Sequence, residues 1–174
     1  MNYTAFVTDE IEENKFTSSF KELELEKLHK NDILIKLEWS SLNYKDALSA
    51  KGHKGITRKY PHTPGVDAAG IVVKSNNNEI VAGEKVIVTG HDLGMNTNGG
   101  FAEYVSVPSE WVVKLPQELT LRESMIFGTA GMTAAICINE LIKHNINPDK
   151  GKILVTGATG GVGSMSVAIL NRIG

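Results

Sequence analysis

The segment Lys152-Ile-Leu-Val-Thr-Gly-Ala-Thr-Gly-Gly-Val-Gly163 constrains this chain most, because it reads as a strand, a tight glycine turn and a helix. Ile153 to Thr156 read as a buried parallel strand, and Ala158-x-Gly160-x-x-Gly163 fits the dinucleotide fingerprint with Ala replacing its first Gly. Gly160 lets the main chain approach a pyrophosphate, and Gly163 lets the following helix pack on the strand. The helix amino end offers free N–H groups and a positive dipole. Ser164 to Ile173, with Met165, Val167, Ala168, Ile169 and Leu170, reads as that helix. Thr159, Gly160, Gly161, Val162 and Gly163 are therefore candidate cofactor-binding residues, the alternative being a glycine-rich strand–helix turn with no ligand. A nucleotide-triphosphatase loop is excluded, because Ser164 stands where a lysine is required. The motif lies eleven residues from Gly174, so an incomplete nucleotide-binding domain is expected.

A net charge of -2 and 41% hydrophobic residues predict a globular chain with a proper core, and favour neither nucleic acid nor membrane as partner. No apolar run near the ~18 residues of a membrane span is expected. The amino terminus, Met1-Asn-Tyr-Thr-Ala-Phe6, lacks a signal-peptide layout, so a cytoplasmic location is expected. The single cysteine, Cys137, rules out an intrachain disulfide and a cysteine-rich structural zinc site; its apolar neighbours predict burial. His29, His53, His62, His91 and His144 show no metal-ligand spacing and read as scattered surface residues.

Alternation predicts strands at Tyr3 to Thr8, Phe20 to Leu25 and Ile33 to Ser40, the last with Ile33, Ile35, Leu37 and Trp39 on one face. Leu42 to Ala50 reads as a short helix. Further strands are expected at Val66 to Val73, Val86 to Thr89, Phe101 to Val107 and Trp111 to Leu115, between Gly-rich and Pro-rich loops. The period then changes. Thr120-Leu-Arg-Glu123 has capping-box spacing, and Ala130 to Leu141 reads as a helix buried on several sides.

A β-rich module followed by a buried helix and a glycine-turn motif resembles the medium-chain dehydrogenase/reductase superfamily. Four strings narrow the likeness: Trp39-Ser-Ser-Leu-Asn-Tyr-Lys-Asp46, Pro64-Gly-Val-Asp-Ala-Ala-Gly70, Gly99-Gly-Phe-Ala-Glu103 and Gly128-Thr-Ala-Gly-Met-Thr-Ala134. They resemble the zinc-free acryloyl-CoA reductase group, the YhdH/YhfP-type quinone oxidoreductases. The short-chain dehydrogenases share the Thr-Gly-x-x-x-Gly-x-Gly pattern, but there it follows the first strand of the protein. The implied fold is a β-rich GroES-like, partly open β-barrel domain over residues 1–120. The first helix, strand and helix of an α/β Rossmann domain follow over 121–174. With neighbouring strands missing, residues after Asn139 are expected to pack poorly unless another copy or a partner covers them.

The resemblance also implies chemistry. Zinc-dependent relatives place a cysteine where Asn43 falls and a His-Glu pair where Val66-Asp67 falls, so no zinc is expected. The implied reaction is hydride transfer from NADPH to the C=C bond of an acryloyl-CoA-like thioester or to a quinone, by a full-length homodimer acting on small molecules. The alternative is a non-catalytic binding or assembly module. Asn43, Tyr44 and Asp46 are the implied catalytic residues. Tyr44 either positions the cofactor, donates a proton or simply packs by its ring on a short helix, and Asp46 either orients Lys45 or caps the helix. Thr129 and Thr133 either contact the nicotinamide ribose or phosphate or simply pack. Lys54, Arg58 and Lys59 either hold coenzyme A phosphates or form an ordinary solvated loop.

Overall fold

The computed structural model describes residues 1–28 and 30–174, so His29 lies outside the described residues. Two compact units divide the chain, Met1–Met125 and Ile126–Gly174.

In the first unit, β1 (Asn2–Glu12) and β2 (Lys15–Glu24) form an antiparallel hairpin that places Phe6 opposite Phe20. Its turn uses Asn14 at φ 60, a left-handed conformation that Asn tolerates better than most side chains. Next come β3 (Ile33–Trp39), α1 (Tyr44–Ala50), β4 (Asp67–Ser75), β5 (Lys85–Thr89), β6 (Tyr104–Val107) and β7 (Val113–Lys114). These strands make one antiparallel sheet in the order β6-β3-β4-β5-β7. Strand alternation sends Ile33 and Ile35 into a core with Val72, Val86, Val88, Leu93, Val105 and Val107. Each such side chain contributes about 1.5–3 kcal/mol by leaving water. Backbone bonds tie the hairpin to the rest: Phe6 N–H donates to Phe101 O (2.8 Å), and Thr8 and His62 exchange a pair at 2.8 and 2.9 Å.

Trp39 departs from the alternation. The register slips between Leu37 and Trp39, which turns the indole outward beneath the Arg122 guanidinium, 5.8 Å from its centroid. One irregular residue in a strand reverses the face of everything beyond it.

The loop over residues 90–100 folds tightly against the entry to β4. A Cβ on Gly99 would lie 2.4 Å from Gly65 O, and one on Gly100 would lie 2.1 Å from Asp67 O. His62 is enclosed there, its Nε2 2.9 Å from Gly94 O, which corrects the surface reading. Burial lowers the His62 pKa, and the Gly94 carbonyl opposes this less strongly. Below about pH 6.5 the unfolded chain takes up this proton first, so stability falls with pH until the folded-state pKa is passed. The melting temperature is expected to drop across that window. His62→Gln should flatten the slope, and an unchanged slope would acquit His62.

Thr120 and Glu123 form the expected capping box, with Glu123 N–H on Thr120 Oγ1 (3.2 Å) and Thr120 N–H on Glu123 Oε2 (2.9 Å). It opens α2 (Leu121–Lys143), which breaks at Gly128 (φ 48, ψ -154). By length and composition α2 is apolar enough to cross a membrane, contrary to the expectation of no such run. The break leaves stretches over 121–127 and 129–143, each shorter than the ~17 residues a span requires.

The second unit differs from expectation in three places. Along Ala130 to Leu141, Ala134 and Ile138 are buried, but Ile136 and Cys137 are exposed, because nothing in the unit packs on that face. Ile153 to Thr156 form no strand: among the described residues they have no ladder partner, and Leu154 is 88% exposed. A strand's N–H and C=O groups need neighbours that this segment lacks. The left-handed turn is made by Gly157 (φ 62), not by position 158, so Ala158 sits there without strain. The helix α3 (Gly161–Ile173) follows. Ile138, Ile142, Ile146, Ile153, Val167 and Leu170 line an apolar groove of about 680 Å³.

Candidate active site

In the β unit, the candidate residues gather where α1 begins and β4 begins. Asn43 is the extended residue before α1 (φ -122, ψ 154). Its N–H donates to Asp46 Oδ2 (2.8 Å), while Val66 N–H donates to Asp46 Oδ1 (3.0 Å). Both Asp46 oxygens thus accept backbone donors, and the side chain caps α1 and fastens it to β4. Burial raises the Asp46 pKa, the bonds from Asn43 and Val66 pull it back, and the Asp67 charge raises it again.

Asn43 Nδ2 donates to Asp67 Oδ2 at 2.8 Å, and Asp67 is closed to solvent. Ser40 Oγ donates to Asp67 O (2.7 Å), pinning the start of β4 from the other side. Asn43 and Asp67, two of the three positions that the resemblance aligns with zinc ligands of zinc-dependent relatives, are therefore joined here by an amide–carboxylate hydrogen bond. An amide and a valine are not the cysteine and histidine that zinc prefers, and no metal-holding cluster occurs among the described residues. The donor set does not fit zinc.

Tyr44 begins α1 and is 80% exposed, with no hydrogen bond to its hydroxyl among the described residues. Beside Asn43, Phe6, Phe20, Leu42, Ala47, Ala50 and Phe101 line an open apolar pocket of about 450 Å³ that Asp46 also borders. Sequence reading missed these phenylalanines as site residues, because they come from β1, β2 and a loop. The alternation of β1 with β2, and hence the facing of Phe6 and Phe20, was the available signal. Asp67 was seen only as a lost ligand position.

Lys54 is committed elsewhere: its Nζ pairs with Glu10 (2.7 Å) and lies 5.1 Å from the ring centroids of both Phe16 and Tyr60. This clamp holds the loop to the hairpin. Arg58 and Lys59 are exposed.

In the second unit, Gly160 caps α3 and the first-turn N–H groups of Gly161, Val162 and Gly163 follow. A Cβ on Gly163 would lie 2.1 Å from Gly157 O, so this glycine is required by packing. A Cβ on Gly160 would meet only Gly157 O, at 3.4 Å. Among the described residues nothing accounts for that second glycine. Thr133 Oγ1 donates to Thr129 O (2.7 Å), and a Cβ on Gly161 would lie 3.1 Å from Ala130 Cβ, so the Thr129–Thr133 turn of α2 adjoins the glycine turn.

The hairpin, the open antiparallel sheet and the helix-capped entry to β4 define a GroES-like β domain of the medium-chain dehydrogenase/reductase kind. The chain belongs to the alcohol dehydrogenase GroES-like domain family, whose model matches residues 29–117. The acrylyl-CoA reductase AcuI of Ruegeria pomeroyi is 40% identical over 173 residues, covering 99% of this chain and 52% of that protein. The solved structure of the Salmonella enterica yhdH oxidoreductase in complex with NADP matches with a TM-score of 0.95 at 43% identity, covering 98% of this chain and 52% of that one. Bacillus subtilis yhfP with NAD bound matches equally well, at 0.95 and 43%, covering 99% and 52%. The chain spans about half the length of the curated relatives it matches.

Proposed function

We propose that this sequence supplies the catalytic β domain and the phosphate-binding turn of a zinc-independent, NADPH-dependent reductase. Its substrates are an α,β-unsaturated acyl thioester such as acryloyl-CoA, or a quinone. The observation that carries this reading is the Asn43–Asp67 hydrogen bond standing where a metal would otherwise polarise the substrate. NADPH, when bound, supplies the hydride. As hydride reaches the β carbon, negative charge builds on the carbonyl oxygen and needs a donor. One N–H of the Asn43 amide is used by Asp67, and the amide carries a second for that oxygen. A preorganised donor of this sort lowers a barrier by about 2.7–4 kcal/mol. The exposed Tyr44 hydroxyl either positions the nicotinamide or delivers the proton to the α carbon. The N–H groups of Gly161 to Gly163 hold the pyrophosphate, with Thr129 and Thr133 on the adjoining helical turn.

The test is NADPH oxidation by acryloyl-CoA and by a quinone, using the protein purified from its source, with NADH and a strong zinc chelator in parallel. Turnover that ignores the chelator is expected. Chelator-sensitive turnover, or none with either substrate, would overturn the reading. A second reading, an assembly module, is favoured by the exposed Ile136, Ile142 and Leu154. It predicts no turnover and a stable complex with another protein.

A further inference from the structure

Asn98-Gly99 is the only Asn-Gly step in the sequence. Such a step is chemically unstable, because the main-chain nitrogen after the asparagine lies within reach of its side-chain carbonyl carbon, and a glycine leaves that nitrogen unhindered. In this fold one residue holds both reacting groups. Thr63, closed to solvent, donates its N–H to Asn98 Oδ1 (3.4 Å) and accepts the Gly99 N–H on its carbonyl oxygen (2.7 Å). Two more bonds continue the seam, Gly100 N–H to Gly65 O (2.8 Å) and Phe101 N–H to Pro64 O (3.0 Å). Asn98 is exposed and meets water, whereas Gly99 behind it is buried. Just upstream, Thr97 Oγ1 donates to Asp92 O (3.0 Å) and braces the loop.

We infer that Asn98 is a site of spontaneous deamidation, guarded by Thr63 and open to reaction when the loop over residues 90–100 lifts from residues 63–65. The Gly99 nitrogen, once its proton is lost to solvent base, attacks Asn98 Cγ. The new C–N bond closes a five-membered succinimide, and ammonia leaves. Water then opens the ring at either carbonyl, giving aspartate or isoaspartate, and no oxidant or reductant is consumed. Hydrogen exchange at the Gly99 amide needs the same proton removed, so both reactions wait on one local opening. The isoaspartyl product routes its main chain through an extra methylene, and the seam has no room for it. A Cβ on Gly99 would already stand 2.4 Å from Gly65 O and 2.5 Å from Gly94 Cα, and one on Gly94 would stand 2.5 Å from Gly65 O. A modified loop therefore fails to close again. It uncovers His62 and loosens the entry to β4, where Val66 N–H meets Asp46 Oδ1. None of this depends on the reaction proposed above.

The test holds the 174-residue chain at mildly alkaline pH and resolves its tryptic fragment over residues 86–114 into asparaginyl, aspartyl and isoaspartyl forms over time. A free peptide over residues 96–102 gives the unguarded rate, and NMR gives the protection of the Gly99 amide against exchange. Asn98 is expected to react more slowly in the folded chain by the same factor that protects the Gly99 amide, about tenfold or more. Thr97→Val keeps the β-branched shape, removes one loop bond, and should speed both processes by about two- to tenfold. Asn98→Gln, which would have to close a six-membered ring, should stop the modification, and the isoaspartyl fraction of the parent should melt below the unmodified one. A folded-state rate other than the peptide rate divided by the Gly99 protection factor would overturn the inference. So would deamidation of the fragment persisting in Asn98→Gln, or an isoaspartyl fraction that melts with the parent.

Discussion

Gly160→Ala is expected to leave the fold intact and cost NADPH binding tenfold or more, whereas Gly163→Ala should cost the fold first. Gly160 sits at φ -79, which alanine adopts freely, and the added Cβ would meet only Gly157 O at 3.4 Å. Replacing such a glycine usually stabilises by about 0.4–1 kcal/mol, because the unfolded chain loses freedom. The side of the turn left open is where main chain and phosphate would meet, and a methyl group there holds the two apart. At Gly163 the methyl would stand 2.1 Å from Gly157 O and 2.8 Å from Ala158 Cα, so the turn itself must open. Overpacking of that kind costs about 1–3 kcal/mol. Thermal melts and a titration followed by nicotinamide fluorescence separate the two. If Gly160→Ala binds NADPH as well as the parent, the turn is not the phosphate site.

Asp67→Ala is expected to lower kcat by about 10²–10³, the loss seen when one oxyanion donor is removed, with the KM for NADPH unchanged. The substitution leaves Asn43 in place but frees its amide to rotate, since the 2.8 Å bond to Asp67 Oδ2 is what orients it. Asp67→Asn should lose less, because its carbonyl oxygen still accepts from Asn43 Nδ2. A merely structural role would depress stability in both variants without separating kcat from KM. Both variants also remove a charge that helps raise the Asp46 pKa. On acidification the native state takes up the Asp46 proton before the unfolded chain does. The penalty of its charge is therefore felt as pH rises from the unfolded carboxylate pKa, near about 3.9, through the raised folded value. Without Asp67 that window should close from its upper end, visible in melting temperature against pH. Unchanged kcat in Asp67→Ala would detach Asp67 from the orientation of Asn43.

Local patterns carried much of this fold. The alternation from Ile33 onward located β3, and the Thr120–Glu123 spacing located the cap of α2, since both signals lie within a few residues. What the alternation could not carry was the slip before Trp39, which depends on how β4 pairs. The apolar run from Ile153 reads as a strand, yet a strand exists only with neighbours, and none pairs with it among the described residues. The same cause exposes Cys137. His62 is buried through the folding of a loop some thirty residues further on. In the candidate site, the resemblance singled out Asn43, Tyr44 and Asp46. The partner that fixes Asn43, Asp67, lies 24 residues away, and only the packing of α1 against β4 brings them together.

The uneven distribution of strand partners has a consequence for synthesis. Every strand in Met1–Met125 finds its ladder neighbours within that stretch. On a ribosome adding about 5–20 residues per second, this β unit has all it needs to close as soon as it clears the exit tunnel. Among the described residues the segment around Leu154 has no such partner, and it stays open to chaperones and proteases for as long as it is unpaired. A nascent chain of this kind is therefore protected first over its β unit, and its glycine turn becomes safe later.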